Sequence, residues 1–320
     1  MSGRNPEKRC LNVVWRRRVL DDFLEAPFMR SVLLSRLRRP VRWIAIEDNA
    51  ELPLIDDLLI CSFGNPDGYL ANLRAAGHRN IGVFHLGDEH GIDDIGFYAQ
   101  ADYVLRHYYF PERLVEPGGF NQKILWMPNG WARGVGPADT ATHVPFAERT
   151  HSVFFAGYAG AAGPATNERA EMLESLRAYG IAATIILSQG FGQGLGAGSY
   201  AAYMGDAKLA LAPGGNAPET IRLYDALEHG ALPVIIDRPW LHAADGLAAV
   251  GTPPFIILTS WDDLPQLLPG VTAPAPTARR DDWQRQTDAC RQWWQSFKDH
   301  TAGRVAAAIE AAFADAAGTP

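Results

Sequence analysis

The sequence is poor in cysteine, and its few cysteines are widely separated. Only Cys10, Cys61 and Cys290 occur among the 320 residues, and no two of them form a C-x-x-C pair. This shortage disfavours both a disulfide framework and a structural zinc site. We expect the three side chains to be buried free thiols.

Long apolar runs are also missing. No segment approaches the roughly 18 consecutive apolar residues of a membrane span, and the N-terminus carries charges where a secretory signal needs an apolar core. We therefore expect a cytoplasmic protein. The 47% of hydrophobic residues is nevertheless typical of globular proteins, and the length suffices for two domains of about 150 residues each.

Positive charge is scarce except near the N-terminus. The net charge is −7, yet residues 1–45 hold 11 Lys or Arg against 4 Asp or Glu, which gives +7 there and −14 elsewhere. One interpretation of this basic segment is a solvated helix face. The alternative is a surface that contacts either the inner face of an anionic membrane or a phosphate-bearing acceptor. The acidic remainder argues against nucleic acid as a partner. The arginines concerned are Arg16, Arg17, Arg18, Arg36, Arg38, Arg39 and Arg42.

Short β-branched runs alternate with helical segments along the chain, which predicts an α/β protein with parallel sheets. Predicted strands occupy 11–15, 42–46, 58–63, 81–85, 103–106, 124–127, 152–156, 183–187, 208–211, 233–236 and 255–258. Predicted helices lie near 18–37, 66–76, 93–100, 165–179, 199–205 and 219–229.

A linker rich in Gly, Pro, Ala and Thr at 134–148 separates the two halves. It predicts an N-terminal acceptor-side domain at 1–148, a nucleotide-sugar-binding domain at 149–280 and closing helices at 281–320. We expect two Rossmann-like, doubly wound domains that face a central cleft, because open α/β sheets bind ligands at the carboxyl ends of their strands.

Residues 208–236 form the most informative stretch, a predicted strand, glycine turn, helix and second strand. Gly214 and Gly215 let backbone N–H groups approach a ligand, and Glu219 and Thr220 open a helix whose free N–H groups and dipole favour phosphate. This arrangement suits a diphosphate.

Arg222 and Asp225 lie three residues apart on the predicted helix and therefore on adjacent turns. Arg222 can neutralise a diphosphate, and an ionised Asp225 suits a ribose diol. The alternative is that the two side chains only pair with each other at the surface.

These segments resemble the signature of exostosin-type glycosyltransferases, which runs Pro-x-Gly, Ser-x-Arg-x-x-Glu-Ala and Gly-x-x-Pro-Val-Ile. The matching residues are Pro-Gly-Gly at 213–215, Thr-Ile-Arg at 220–222, Asp-Ala-Leu at 225–227 and Gly-Ala-Leu-Pro-Val-Ile at 230–235. Upstream, Phe-Phe-Ala-Gly at 154–157 followed by Arg169 is similar to the family's Phe-x-Gly and Arg. Thr220, Asp225 and Ala231 replace the family's Ser, Glu and frequent Cys, which leaves the identity of the donor open.

The resemblance covers about residues 150–270 and implies a GT-B fold with inverting transfer from a nucleotide sugar, uridine-linked in the family. Arg222 and the helix dipole would stabilise the leaving diphosphate, so we expect neither a metal nor a cofactor beyond the nucleotide sugar as co-substrate. The expected donor-binding residues are Gly157, Arg169, Gly214, Gly215, Asn216, Glu219, Thr220, Arg222 and Asp225.

The acceptor half offers a candidate general base directly after a predicted strand. Asp88 or Glu89 could deprotonate an acceptor hydroxyl, although the two could instead cap the following turn or remain solvated. A zinc-protease motif is disfavoured because His85 and His90 are five residues apart rather than four. The expected acceptor-side residues, each after a predicted strand, are His85, Arg106, His107 and Asn129.

Taken together, the patterns predict transfer of a sugar to a hydroxyl of a glycan or lipid-linked carbohydrate. The glycines at 190–198 do not follow the G-x-G-x-x-G order, which disfavours a nicotinamide cofactor and favours a loop over the cleft. Two alternatives stay open: a nucleotide-dependent oxidoreductase or epimerase, and a non-catalytic carbohydrate-binding or assembly protein of the same fold.

Overall fold

The computed structural model contains two parallel β-sheets in an α/β chain, as the alternating pattern predicts. Its contacts form two compact units, an N-terminal unit of residues 1–128 with 299–320 and a C-terminal unit of residues 129–298. The units thus divide at Asn129 and inside the last helix, whereas the sequence suggested a boundary at 148. The structure describes residues 9–16, 23–47, 52–64, 68–114, 124–159, 168–190, 193–268, 271 and 277–317.

Six parallel strands form the sheet of the N-terminal unit. Most of them are continuous apolar runs with buried side chains, the composition of strands covered on both faces. The strands lie in the order β2-β1-β3-β4-β5-β6. Their bounds are β1 Leu11–Arg16, β2 Val41–Ile46, β3 Leu58–Phe63, β4 Ile81–Leu86, β5 Tyr103–Arg106 and β6 Ile124–Trp126.

Five parallel strands form the sheet of the C-terminal unit, in the order β11-β10-β9-β7-β8. Counted from its own first strand, this order is 2-1-3-4-5, the doubly wound order in which connections reverse direction between the first and third strands. The N-terminal sheet begins with the same order. The bounds are β7 His151–Tyr158, β8 Thr184–Ser188, β9 Ala207–Leu211, β10 Leu232–Ile236 and β11 Ile256–Leu258.

The helices agree with the sequence prediction in the C-terminal unit and less well in the N-terminal unit. The α-helices are α1 Ala26–Phe28, α2 Tyr69–Ala75, α3 Pro111–Leu114, α4 Glu168–Ala178, α5 Ala197–Gly205, α6 Ile221–His229, α7 Pro239–His242 and α8 Thr277–Ala317. A π-helix at Met29–Leu33 follows α1, and 3-10 helices occupy Gly96–Gln100, Thr140–Thr142, Phe146–Glu148 and Trp261–Gln266. Within the described part of the chain, no helix has an apolar stretch that would span a bilayer.

The helix predicted near 18–37 is shorter than expected. It comprises α1 and the π-helix at 26–33, with Pro27 at the start of α1. Proline is tolerated only in the first turn of a helix, because its ring clashes with the preceding turn, and this fixes the start. The helix predicted near 93–100 is instead the 3-10 helix at 96–100. Several predicted features fall partly outside the described residues, namely Arg17, Arg18, the start of the helices near 18, 66 and 165, and positions 191–192 of the glycine-rich loop.

Two expectations about single side chains are modified by the structure. All three cysteines are free, but only Cys61 and Cys290 are buried, whereas Cys10 is half-buried. In the N-terminal basic segment, Arg36 pairs with Asp299 at 2.9 Å and Arg39 with Glu310 at 2.8 Å. Both acidic partners belong to α8, so part of the basic charge is neutralised within the N-terminal unit.

Helix α6 buries a carboxylate that connects three parts of the C-terminal unit. Glu228 Oε1 accepts a hydrogen bond from Ala138 N at 3.0 Å. Its Oε2 accepts from Trp294 Nε1 at 2.7 Å and from Lys298 Nζ at 3.1 Å, both on α8. A buried carboxylate is stable only when its oxygens receive such donors, so this residue fixes α8 and the segment around 138 against α6.

We predict that Glu228→Ala lowers the free energy of unfolding by about 3 to 5 kcal/mol, because it leaves the Lys298 ammonium buried without its partner. Urea denaturation measures the change. Lys298→Met in the Glu228→Ala background should recover part of the loss, since it removes the uncompensated charge. The exposed Glu174 on α4 provides the control, and equal small effects of Glu174→Ala and Glu228→Ala would contradict the assignment.

Candidate functional site

Several residues that the sequence resemblance assigns to the donor lie where the C-terminal sheet reverses its connections. This point falls between β7 and β9, which are neighbours in the sheet. Gly157 belongs to the carboxyl end of β7, and the glycines 214–215 follow the carboxyl end of β9. Doubly wound sheets bind ligands at this switch point, so these loops lie where a ligand site is expected.

Arg222 reaches from the first turn of α6 to the end of β7. Its Nε donates to Ala156 O at 2.7 Å and its Nη1 to Thr220 Oγ1 at 3.4 Å. Its guanidinium covers Gly157, and a Cβ at this position would overlap Arg222 Nη2. The φ of Gly157 is 152°, a backbone conformation that also favours glycine. Nη2 has no acceptor among the described residues. The guanidinium is therefore held in place with one edge still able to bind an oxyanion.

A second guanidinium, that of Arg169, lies between the end of β7 and the glycine turn after β9. Arg169 on α4 donates from Nη1 to Tyr158 O at 2.7 Å and from Nε to Gly214 O at 3.1 Å. A Cβ on Gly215 would overlap its Nη2. Arg169 thus connects the end of β7 to the glycine turn after β9.

The glycines of the turn also make room for a buried carboxylate that the sequence interpretation missed. A Cβ on Gly214 would lie 2.9 Å from Glu168 Oε2. The same oxygen accepts from Arg238 Nη2 at 3.0 Å. The missing side chains at 214 and 215 therefore serve the packing of Glu168 and Arg169 as well as any approach of a ligand.

The start of α6 carries the free N–H groups expected of an anion site. The helix begins at Ile221 with Thr220 as N-cap, and no side chain caps it. The Thr220 hydroxyl accepts from Arg222 instead of from the first turn. Leu223 N donates to Thr220 O at 3.1 Å, so the N–H groups of Ile221 and Arg222, together with the helix dipole, remain at this end. Asn216, on the preceding turn, is half-buried.

Two acidic residues assigned to the donor are instead engaged by the segment 129–132. Glu219 Oε1 accepts from Asn129 N at 3.2 Å and from Tyr224 OH at 2.7 Å. Asp225 Oδ1 accepts from Ala132 N at 3.1 Å, and the side chain is 1% exposed. Asn129, expected on the acceptor side, belongs to the C-terminal unit through this contact. Burial raises the pKa of Asp225 to about 7 despite the Ala132 N–H and the nearby Arg222 charge.

In the N-terminal unit, Asp88 forms a buried ion pair with Arg106. Its Oδ2 accepts from Arg106 Nη2 at 2.8 Å, and the two side chains are 2% and 0% exposed. Its Oδ1 accepts from the backbone N–H groups of Ile92 at 2.9 Å and Asp93 at 3.1 Å. Burial alone would raise the pKa of Asp88, but these N–H groups and the guanidinium together hold it below its usual range. Asp88 therefore organises the loop 88–93 after β4.

A chain of hydrogen bonds continues from Arg106 to a half-exposed carboxylate. Arg106 Nη1 lies 3.4 Å from Tyr98 OH, which lies 2.6 Å from His85 Nδ1. Burial raises the pKa of Tyr98, so its hydroxyl keeps the proton and donates to His85. His85 Nε2 then donates to Asp93 Oδ2 at 3.0 Å, where Asp93 is 33% exposed. Burial, followed by the Arg106 charge, lowers the pKa of His85, which keeps the ring neutral.

The two remaining residues assigned to the acceptor half differ in their surroundings. Glu89 is half-buried, and its Oε1 accepts from Tyr108 OH at 3.1 Å. His107 packs its ring edge to face with Phe84 at 4.9 Å, and burial lowers its pKa to about 3. Glu89 thus presents a carboxylate near the surface, whereas His107 is a packing residue.

Four residues of these networks have no motif in the sequence. They are Tyr98, Asp93, Glu168 and Arg238, and each becomes a partner only through tertiary contact. The one available signal was weak: Asp93 follows Asp88 by five residues within a loop after a predicted strand. Among the described residues, no three His, Cys, Asp or Glu side chains come together as metal ligands would.

Comparison with known families supports a glycosyltransferase. A family model described as the RXYLT1 C-terminal domain matches residues 193–314. The matched range contains β9, the glycine turn, α6 and most of α8, but not Gly157, Arg169 or the strands of the N-terminal unit. No curated protein matches the chain. The match supports a glycosyltransferase family without identifying a member.

We predict that Asp88→Asn lowers the free energy of unfolding at pH 7 by about 3 to 5 kcal/mol, because Arg106 loses a buried anionic partner. The pKa of Asp88 is lowered in the folded state, so its contribution is complete above the unfolded value of about 3.9 and is lost as the pH falls further. Urea denaturation at pH 7 and pH 3 should therefore show a smaller difference between variant and wild type at pH 3.

The exposed Asp94 lies on the same loop, and Asp94→Asn keeps an acceptor for Gly96 N, which makes it a matched control. A difference between Asp88→Asn and wild type that does not change with pH would contradict an ionised Asp88.

Proposed function

We propose that this chain is a glycosyltransferase that holds the diphosphate of a nucleotide sugar at the switch point of its C-terminal sheet. The observation that carries the proposal is that Arg222 and Arg169 bring two guanidinium groups to the ends of β7 and β9 beside glycines. The match of residues 193–314 to a glycosyltransferase family model supports the same conclusion. Planar guanidinium groups bind phosphate oxygens in pairs, which suits a diphosphate.

The proposed chemistry needs stabilisation of charge on the leaving diphosphate. Arg222 Nη2, the free N–H groups of α6 and the helix dipole would supply it at one place. We propose that these groups suffice without a metal ion. Because the guanidinium is already fixed by Ala156 O, little reorganisation is needed during the reaction.

The donor and the acceptor are proposed from the family match and from the sequence resemblance. The matched family is of the xylosyltransferase type, which makes a nucleotide-linked pentose one candidate donor beside a uridine-linked hexose. The proposed acceptor is a hydroxyl of a glycan or lipid-linked carbohydrate. Contact with an anionic membrane would depend on basic residues other than Arg36 and Arg39, which are paired with α8.

We propose Glu89 rather than Asp88 as the general base. Both oxygens of Asp88 are engaged by Arg106 and by backbone N–H groups, and the low pKa makes it a poor proton acceptor. Among the described residues, Glu89 accepts only from Tyr108 OH, and it is partly exposed. Asp88 would act as a positioning residue that shapes the loop carrying Glu89.

We predict that Arg222→Ala weakens binding of UDP and of the nucleotide sugar by about 10- to 150-fold, the effect of one charge-assisted hydrogen bond. Calorimetry measures both affinities. Arg222→Lys should recover only part of the loss, because an ammonium cannot bind two phosphate oxygens as a guanidinium does. Uridine should bind Arg222→Ala and wild type alike.

Arg177, exposed at the end of α4, supplies the control variant Arg177→Ala, which should bind UDP normally. Equal affinity of Arg222→Ala and wild type for UDP would place the diphosphate elsewhere and remove the main support for the proposal.

We predict that Glu89→Gln lowers turnover by about 100- to 10,000-fold, the usual effect of losing a general base, while UDP binding is unchanged. Steady-state kinetics and calorimetry test the two parts. Glu112→Gln on α3, which changes an exposed glutamate, is the matched control. If Glu89→Gln retains the wild-type rate, another group accepts the proton.

A further inference from the structure

An exposed aromatic ring lies at the carboxyl edge of the N-terminal sheet. Phe63 ends β3 and is 42% exposed, although the five residues before it in the strand are buried. Its ring rests on Gly87, the first residue after β4, because a Cβ on Gly87 would lie 2.6 Å from Phe63 Cδ1. The φ of Gly87 is 82°, which favours glycine, so no side chain separates this backbone from the ring. The ring is therefore supported by backbone while much of its surface remains accessible.

Two carboxylates lie on the loop that follows the next strand. Strands β3 and β4 are parallel neighbours, so the loops after them leave the same edge of the sheet side by side. Asp93 approaches the residue after Phe63, since a Cβ on Gly64 would lie 3.3 Å from Asp93 Oδ2. Glu89, the proposed base, lies earlier on the same loop and is half-buried. An aromatic ring and two carboxylates thus share one accessible edge of the N-terminal unit.

Asp93 is held in orientation through one carboxylate oxygen, and its other oxygen is unused. Oδ2 accepts from His85 Nε2 at 3.0 Å, and Arg113 Nη1 donates to the backbone O of Asp93 at 3.1 Å. No described residue donates to Asp93 Oδ1, and the side chain is 33% exposed. Because the His85 ring is neutral, it orients the carboxylate without cancelling its negative charge. Asp93 therefore offers a fixed acceptor for a hydroxyl group.

An aromatic face beside an oriented carboxylate matches a sugar ring better than other classes of ligand. A pyranose presents an apolar C–H face, which packs on an aromatic ring, and rim hydroxyls, which donate to carboxylates. An alkyl chain would desolvate Asp93 without offering it a donor, which is unfavourable. An anion would be repelled by Asp93 and Glu89. An ammonium group would fit the charges, but it brings no hydroxyl to the proposed base.

We propose that Phe63 and Asp93 bind the sugar ring of the acceptor, a role that rests on the proposed function of the chain as a glycosyltransferase with Glu89 as its base. The C–H face of a neutral pyranose stacks on Phe63, and one of its hydroxyls donates to Asp93 Oδ1. The acceptor is accordingly recognised by a sugar ring and not by an attached lipid chain.

Binding of methyl pyranosides in the absence of a donor tests the site. The probes are methyl glucoside, methyl galactoside and methyl xyloside at millimolar concentrations, with affinities measured by saturation-transfer NMR titration. At least one should bind the wild type. Phe63→Leu keeps an apolar side chain on Gly87 but removes the aromatic face, so the affinity for that pyranoside should fall about tenfold. Phe63→Trp should retain most of it.

Two controls match the two site residues. Leu54 is 69% exposed and precedes the amino end of β3, so Leu54→Ala should leave pyranoside binding unchanged. Asp93→Asn replaces the charged acceptor by an amide and should weaken binding about tenfold. Asp94→Asn, which changes an exposed neighbour on the same loop, should have no such effect.

Several results would overturn the proposal. One is that no pyranoside binds, and another is that Phe63→Leu and Asp93→Asn bind the pyranosides as the wild type does. A preference for octyl glucoside over methyl glucoside that survives in Phe63→Leu would indicate an alkyl site instead. Tighter binding of methyl glucosaminide than of methyl glucoside would indicate an ammonium site.

Calorimetry with UDP separates the sugar site from the proposed function. Phe63→Leu and Asp93→Asn should bind UDP as tightly as the wild type, because both residues belong to the N-terminal unit. UDP binding that depends on Arg222, together with pyranoside binding that does not depend on Phe63, would overturn the sugar site alone. Pyranoside binding that depends on Phe63 in a protein that does not bind UDP would support sugar recognition here and contradict the transferase.

Discussion

Three buried carboxylates hold the irregular segment 129–138 against α6, and much of the C-terminal unit depends on this contact. Glu219, Asp225 and Glu228 accept the backbone N–H groups of residues 129, 132 and 138 in turn. An irregular segment has no sheet or helix to satisfy its backbone, so each N–H needs an acceptor from elsewhere, and each buried carboxylate needs a donor. The same helix that carries Arg222 to the end of β7 is thereby fixed in its rotation, and with it the candidate donor site.

Much of the fold could be predicted because it depends on local composition. The short apolar runs of both sheets, such as 58–63 and 232–236, are typical of buried parallel strands, and all eleven predicted strands occur in the structure. The packing of segment 134–148 was harder to predict, since its Gly and Pro content indicated only a linker between the two halves. Ala138 in this segment instead donates to the carboxylate of Glu228 on α6, 90 residues away. The expected central cleft stays a prediction.

The candidate site was predictable where one motif carried it. Gly157, Arg169, Gly214, Gly215 and Arg222 do meet at the switch point of the sheet, because the strand-turn-helix pattern fixes which ends of the strands they occupy. The roles of the acidic residues were harder to predict, because a carboxylate can accept hydrogen bonds from a ribose, a backbone N–H or an arginine equally well. Only tertiary structure shows that Asp225 and Glu219 face the segment 129–132 and that Asp88 faces Arg106.

The N-terminal unit includes residues 299–317 of α8, through ion pairs of Arg36 with Asp299 and Arg39 with Glu310 and through Arg9 and Arg39 over the Phe313 ring. On the ribosome, β1 to β6 therefore emerge long before the helix turns that complete their packing. Domains generally fold in the order of their synthesis, but here residues 129–298 of the C-terminal unit are translated before residues 299–320, which belong to the N-terminal unit. We therefore expect the N-terminal sheet to keep part of its apolar surface uncovered until Val305, Ile309 and Phe313 of α8 can pack against the unit.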